Sequence, residues 1–264
     1  MEIEVVYLEK IMGRLENIYH QMEMQMTPPV YIDDGVYPRF RYKTLSDSLA
    51  CYLKGIKLIS TLNACMVLLR KGYTQEIGAL CRMISDFHNE IFFLLIPQEG
   101  DNFSKDQIRF LEDFFKEELD KPDNPLQSKQ KRDNVPVRKI HATFGKLAKN
   151  ELNPSDAQEL MHTIHQAFSG YVHGAYPHIM EMCGGIPPRF HMSGMLDTPR
   201  IDACRSQLFG DIHRVIMVTV LVARRLGFTD IEKSTKELLD EFEKDTNSRP
   251  TQKADAMLRQ MKKK

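Results

Sequence analysis

No charge of one sign prevails in this chain. Its 36 Lys and Arg side chains stand against 36 Asp and Glu. That balance excludes a global field drawing in nucleic acid or an acidic membrane, and leaves only local basic surfaces open. Cysteine is scarce and scattered. Cys51, Cys65, Cys81, Cys183 and Cys204 contain no Cys-x-x-Cys pair, which argues against a disulfide framework and for reduced thiols in a cytoplasmic protein. Long hydrophobic runs are missing as well. The longest, Val215 to Ala223, contains Thr219 and is too short for a bilayer. The acidic start Met1-Glu2-Ile3-Glu4 lacks a signal-peptide pattern, so no membrane partner is expected.

Several motifs are absent too. There is no Gly-x-x-x-x-Gly-Lys phosphate loop, no dinucleotide fingerprint and no His-Glu-x-x-His. No Gly-x-Ser-x-Gly turn presents a nucleophile. Strand-like alternation is scarce, and no period of 20 to 50 residues points to a solenoid.

What the chain does have is helical periodicity. Apolar residues recur at i, i+3 and i+4 almost throughout, predicting an all-α, single-domain bundle of seven to eight helices. The pattern places helices near 2–25, 45–71, 74–96, 104–120, 136–150, 154–183, 199–226 and 230–246. It divides the chain into an N-terminal helix and loop (1–44), a bundle core (45–246) and a basic, disordered tail (247–264). Ser104-Lys-Asp-Gln107 and Thr229-Asp-Ile-Glu232 fit the capping box. Asn153-Pro154 and Thr198-Pro199 place a capping side chain before a first-turn proline. Gly72 stops one helix and Thr74 can cap the next, predicting a tight helical hairpin. The segments Ile56–Leu69 and Ile212–Leu226 are apolar on most sides and should form the central pair.

Chemistry concentrates in one segment, 161–178, which holds four of the nine histidines. On a regular helix His162, His165, Ser169, His173 and Tyr176 share one stripe, while His178 points elsewhere. Pro177, with Gly170 and Gly174, predicts a kink or break near 173–177. The loop 184–198 leaves this helix and could fold back over its histidine face. A second polar line, Arg82, Ser85, Asp86 and Asn89 with Glu90 at its edge, lies on the helix after the hairpin. It is a solvent-facing stripe laced by an Arg82–Asp86 pair, or it faces the histidines across a groove. In the second case Arg82 holds an anion and Asp86 or Glu90 orients a histidine. The run Lys129, Lys131, Arg132, Arg138 and Lys139 is a solvated surface or a modest RNA or phosphate footprint.

The helix carrying Arg82, Asp86 and Glu90 after a helical hairpin, followed later by Ser169-Gly-Tyr-Val-His173-Gly, resembles a group of bacterial all-helical proteins. Some of these are encoded near mobile elements and defence genes, and they are distantly similar to HEPN domains. The resemblance spans about residues 45–226. It implies a helical homodimer, without cofactor, and the metal-independent ribonuclease activity of many HEPN proteins. Their motif is an arginine followed after four to six residues by a histidine. Arg14 to His20 and Arg82 to His88 match it, with His88 on a different helical face from Arg82.

Three functions are therefore carried forward. The first is a HEPN-like effector acting on RNA or another phosphate-containing ligand. His173 would be its general acid/base, Arg82 its phosphate-stabilising group and Ser169 a further catalytic residue, with Tyr176, His165, Asp86 and Glu90 binding. The second is a non-catalytic bundle using the same residues for a small anion or a protein partner. The third is a metal protein using His162, His165 and His173.

Overall fold

The computed structural model describes residues 2–33, 35, 38–96, 102–121, 123–147 and 154–246. Over these residues the protein is an all-α bundle with two short strand pairs. The expected cap at Asn153 and the expected disordered tail lie outside the described residues.

Helix α1 (Glu2–Gln25) buries Leu8, Ile11, Met12, Leu15 and Met22 along one stripe. The loop expected between the first helix and residue 44 contains a small antiparallel hairpin, β1 (Val30–Ile32) with β2 (Arg39–Arg41). Helix α2 (Asp47–Lys71) starts where Ser46 Oγ accepts the amide of Leu49 at 3.1 Å, and ends at Gly72 in the left-handed region (φ 77°). Helix α3 (Thr74–Leu95) follows at once as the second arm of the hairpin. Thr74 is not its cap. Tyr73 occupies that position, and the buried Thr74 hydroxyl donates instead to Met195 Sδ at 3.5 Å. Helix α4 (Lys105–Phe114) ends earlier than the periodicity predicts. Helices α5 (Val137–Leu147) and α6 (Pro154–Val172) form a second helical hairpin.

The histidine segment is not one helix. It breaks after Val172, with Gly174 at φ 58°, and resumes as the short α7 (Tyr176–Met180) with Pro177 in its first turn. Proline has no N–H for the preceding turn and crowds its carbonyl, so the break falls where the sequence places it. Strands β3 (Cys183–Gly184) and β4 (Arg189–Phe190) pair in the loop beyond. That loop does fold back, but onto the α2–α3 turn and not over His162 and His165. The Met195 amide donates to Gly72 O at 2.7 Å, and a Cβ on Gly194 would meet Lys71 O at 2.0 Å. Helix α8 (Pro199–Leu226) has Thr198 at its N-cap, yet the Thr198 hydroxyl donates to Met195 O at 2.7 Å rather than capping. Helix α9 (Thr229–Thr246) completes the bundle. Glu232 pairs with Arg224 and Lys236, so its side chain is engaged outside the expected capping box.

The core is a three-helix stack. Helix α2 packs on both α3 and α8, and α3 packs on α8. Helix α1 covers the α2/α8 side, α9 lies along α8, and the α5–α6 hairpin covers the outer face of α3. Helices α2 and α8 are each long and apolar enough by composition to cross a membrane, and each is mostly buried inside the bundle. The longest unbroken apolar run is short, but the mean hydropathy of these helices reaches the membrane range because core helices need the same side chains.

Helix α4 is fastened by a single box. Ser104 Oγ accepts the Gln107 amide at 3.3 Å, and Gln107 Oε1 accepts the Ser104 amide at 2.8 Å. The Gln107 amide group then donates to Phe93 O (2.6 Å) and Ile96 O (2.8 Å), tying α4 to the end of α3. Ser104→Ala is expected to cost about 1 kcal/mol, the usual worth of such a cap. Urea denaturation at neutral pH checks this; an unchanged midpoint would show that the box contributes nothing.

Candidate functional site

The site is built on α3. Gly78, Arg82, Asp86 and Glu90 follow one another at i, i+4, one turn apart on a single line. Helix α6 runs antiparallel across that line. At Gly78 a side chain would collide with Tyr171, whose Cγ lies 2.6 Å from the position of an added Cβ. This close seat lets α6 settle against α3 and brings His165 level with Arg82. The polar line is therefore not solvent-facing. Ser85 and Asn89 are each 2% exposed, because α5, α6 and α8 close over this part of α3.

Arg82 Nη2 lies 2.6 Å from His165 Nε2, and Arg82 also pairs with Asp86. A guanidinium can only donate, so Nε2 accepts and the proton of the neutral ring is assigned to Nδ1. That nitrogen faces Asp86 Oδ1 at 3.7 Å. Arg82 thus bridges His165 and Asp86, while the third side, Asp86 to His165 Nδ1, is an electrostatic contact and not a hydrogen bond. Two more imidazoles adjoin it. His162 is one turn away on α6, with its ring centroid 6.2 Å from that of His165. His141, from α5, lies 5.4 Å from His165 and 6.3 Å from His162, centroid to centroid.

His141 is the unusual member. It is 1% exposed, and neither ring nitrogen has a hydrogen-bond partner among the described residues. Burial, reinforced by the neighbouring His165, His162 and Arg82, pushes its pKa down to about 4. Burial and Arg82 also lower that of His165, against the pull of Asp86. Both rings are thereby favoured in the neutral form at pH 7, with a nitrogen lone pair each.

One turn further along α3, Glu90 meets Lys54 of α2 at 2.6 Å. The Lys54 ammonium sits over the rings of Phe114 (4.7 Å), Phe110 (5.1 Å) and Phe87 (5.6 Å). Burial raises the pKa of Glu90, and the adjacent Lys54 opposes the shift.

Of the residues singled out in the sequence, the structure brings together Arg82, Asp86, His165 and His162, with Glu90 at the edge. Ser169 is partly buried on α6, one turn beyond His165. His173 and Tyr176 stand apart. Both are exposed, in the turn after α6 and at the start of α7. His173 is about two turns past His165, roughly 11 Å along the direction of α6, and Tyr176 follows beyond the helix break. Arg82, engaged by His165 and Asp86, is not shared with His173. The proposed metal set of His162, His165 and His173 is likewise split. Among the described residues no group of His, Cys, Asp or Glu is placed to hold a metal ion.

The two literal Arg-to-His matches do not form sites either. Arg14 pairs with Glu241 and His20 with Glu23. His88 is buried against Phe92, away from Arg82. In the basic run, Arg132 pairs with Glu118 and Lys139 with Asp106, which removes much of its field.

Sequence reasoning missed His141 and Lys54. Each carries a faint signal. Lys54 interrupts a helix otherwise apolar on most sides, and His141 follows Ile140 on the buried face of α5. Comparisons with family models, with curated proteins and with solved structures found no match.

Proposed function

We propose that Arg82, His165 and Asp86, with His141 and His162 beside them, form an acid–base site acting on a phosphate-containing ligand. The contact that supports this reading best is Arg82 to His165 at 2.6 Å. It couples a fixed cation to a neutral imidazole, with Asp86 steadying both. The HEPN resemblance adds RNA as the substrate class, a metal-independent ribonuclease as the activity, bacterial defence as the setting and a homodimer as the assembly.

In this reading a phosphate oxygen takes over the Arg82 guanidinium, whose charge-assisted bonds suit it to that ligand. The transfer frees His165 Nε2, which removes the proton of the ribose 2′-hydroxyl. The 2′-oxygen forms a bond to phosphorus, the bond to the 5′-oxygen breaks, and that oxygen takes a proton from solvent, to which His165 then gives up the one it removed. The products are a 2′,3′-cyclic phosphate and a 5′-hydroxyl. The Asp86 carboxylate, 3.7 Å from His165 Nδ1, favours a proton on that nitrogen and so an unprotonated Nε2.

The test is cleavage of a mixed RNA pool by wild type, Arg82→Ala, His165→Ala and His173→Ala, with and without EDTA. Cleavage should resist EDTA and fall by about 100-fold or more in the first two variants, as for loss of a transition-state donor. It should persist in His173→Ala. Loss only in His173→Ala would move the site to the exposed turn. No cleavage under any condition would overturn the enzyme reading, and a ligand-dependent rise in melting temperature would then favour a binding bundle.

A further inference from the structure

Next to the histidine cluster lies a cavity of about 610 Å³. Its lining includes Lys54 and Glu90, the rings of Phe110 and Phe114, and the aliphatic side chains of Val137 and Ile140. Two neighbours in sequence link it to the proposed phosphate site. Glu90 is one turn beyond Asp86 on α3, about 5.4 Å of rise, and Ile140 directly precedes His141 on α5.

A largely buried ion pair opening into a cavity is an uncommon arrangement, because charges held away from water are costly unless their remaining bonding capacity is used. Lys54 spends one donor on Glu90 and turns the other two toward ring faces, which a stronger acceptor can replace; a carboxylate has about four acceptor positions, of which Lys54 takes one. The side chains are 9% and 23% exposed, and the residual exposure is toward this cavity. The pair therefore presents a carboxylate acceptor beside an ammonium donor, with aromatic and aliphatic walls on one side and a polar side that includes Arg132 and Asn134. A ligand completing it needs a planar apolar face, adjacent N–H donors for the carboxylate, and a carbonyl acceptor next to them for the ammonium. Among nucleobases, guanine has that edge: two neighbouring N–H groups and a carbonyl. Adenine lacks the carbonyl. Cytosine lacks the paired imino and amino donors, and uracil offers a single N–H.

We infer that the Lys54–Glu90 cavity is a base-specificity subsite selecting a guanine whose phosphate lies at Arg82. The inference rests on the phosphate reading given above, and its test keeps the two separable. Binding of 5′-GMP, 5′-AMP, 5′-CMP, 5′-UMP, guanosine and ribose 5-phosphate to the full chain is measured by calorimetry. Wild type, Arg82→Ala, Val137→Trp and the double variant Lys54→Met/Glu90→Gln are compared, each first checked for an unchanged far-UV spectrum and cooperative melting. Val137→Trp narrows the rim without touching the ion pair. The double variant removes the pair together and so avoids leaving a single buried charge.

GMP is expected to bind at least tenfold more tightly than the other nucleotides. Val137→Trp and the double variant should abolish that preference and retain ribose 5-phosphate binding, which Arg82→Ala removes. Equal affinity for all four nucleotides, with Arg82 still required, would overturn the guanine subsite and leave the phosphate reading standing. GMP binding that depends on Lys54 and Glu90 but ignores Arg82 would support the subsite and overturn the phosphate reading. No binding of any probe would overturn both.

Discussion

Lowering the pH from about 6.5 to 4 is expected to strip several kcal/mol of folding stability from this protein, beginning above the range in which its carboxylates titrate. Two histidines carry the effect. The ring of His141 is held down to about 4 by burial, with His165, His162 and Arg82 adding to the shift. That of His88 is held down to about 3 by burial and by the charge of Arg214, against the hydrogen bond to Asn89. In the unfolded chain both rings take up a proton near 6.5. Below that pH the unfolded state binds more protons than the folded state, so the folding equilibrium moves toward unfolding as pH falls. Each histidine contributes on the order of 3 kcal/mol, at 1.36 kcal/mol per unit of separation. The loss for His141 is complete at about pH 4 and for His88 at about pH 3. Glu232 acts in a different window. Arg224 holds its carboxyl at about 2, so its contribution is present above about 4.5 and is lost only below that.

Urea denaturation at pH 7, 5.5 and 4 measures the combined slope. His141→Phe keeps an aromatic ring in the same space and removes the titration. Its stability should fall less steeply than wild type across this range. A slope identical to wild type would mean that His141 is not held neutral in the fold.

The helices were legible because their evidence is local. Apolar spacing, the Ser104 box, the stop at Gly72 and the break at Pro177 all depend on residues within a few positions of one another. The two short strand pairs were not, since two or three residues are too few to show alternation. Half of the candidate site was legible for the same reason. His162 and His165 stand out on one helix and Arg82, Asp86 and Glu90 on another. Their meeting is a tertiary event. It depends on Gly78 leaving room for Tyr171 so that α6 can approach α3, and on the antiparallel course that aligns His165 with Arg82. The break near Pro177 was legible, but not its consequence, that the His173 ring lies at the surface instead of continuing the histidine stripe. His141 was illegible because a single histidine on an amphipathic helix has no signature of its own; only the α5–α6 hairpin gives it neighbours.

The largest effect of a single side chain on stability is expected at Asp211, on α8 against α3. Asp211→Ala should cost about 3 to 5 kcal/mol, the range for breaking a buried ion pair by removing one partner. Asp211 is 0% exposed. Its carboxylate accepts from Arg214, from Gln207 Nε2 at 3.1 Å and from the Cys81 thiol at 3.4 Å. These partners join α8 to α3, so the carboxylate ties the two central helices together. Truncation leaves the partly buried Arg214 guanidinium without its carboxylate, close to the already uncharged His88. It also opens a void between α3 and α8 that the packed core cannot fully close. Removing both charges together separates the two costs. Asp211→Leu with Arg214→Met restores apolar volume and leaves no orphaned charge, so it should be far less destabilising than Asp211→Ala alone. Denaturant midpoints of the two variants decide this. Equal losses would mean that the volume and shape of the α3–α8 contact, and not the charge of Asp211, set its stability.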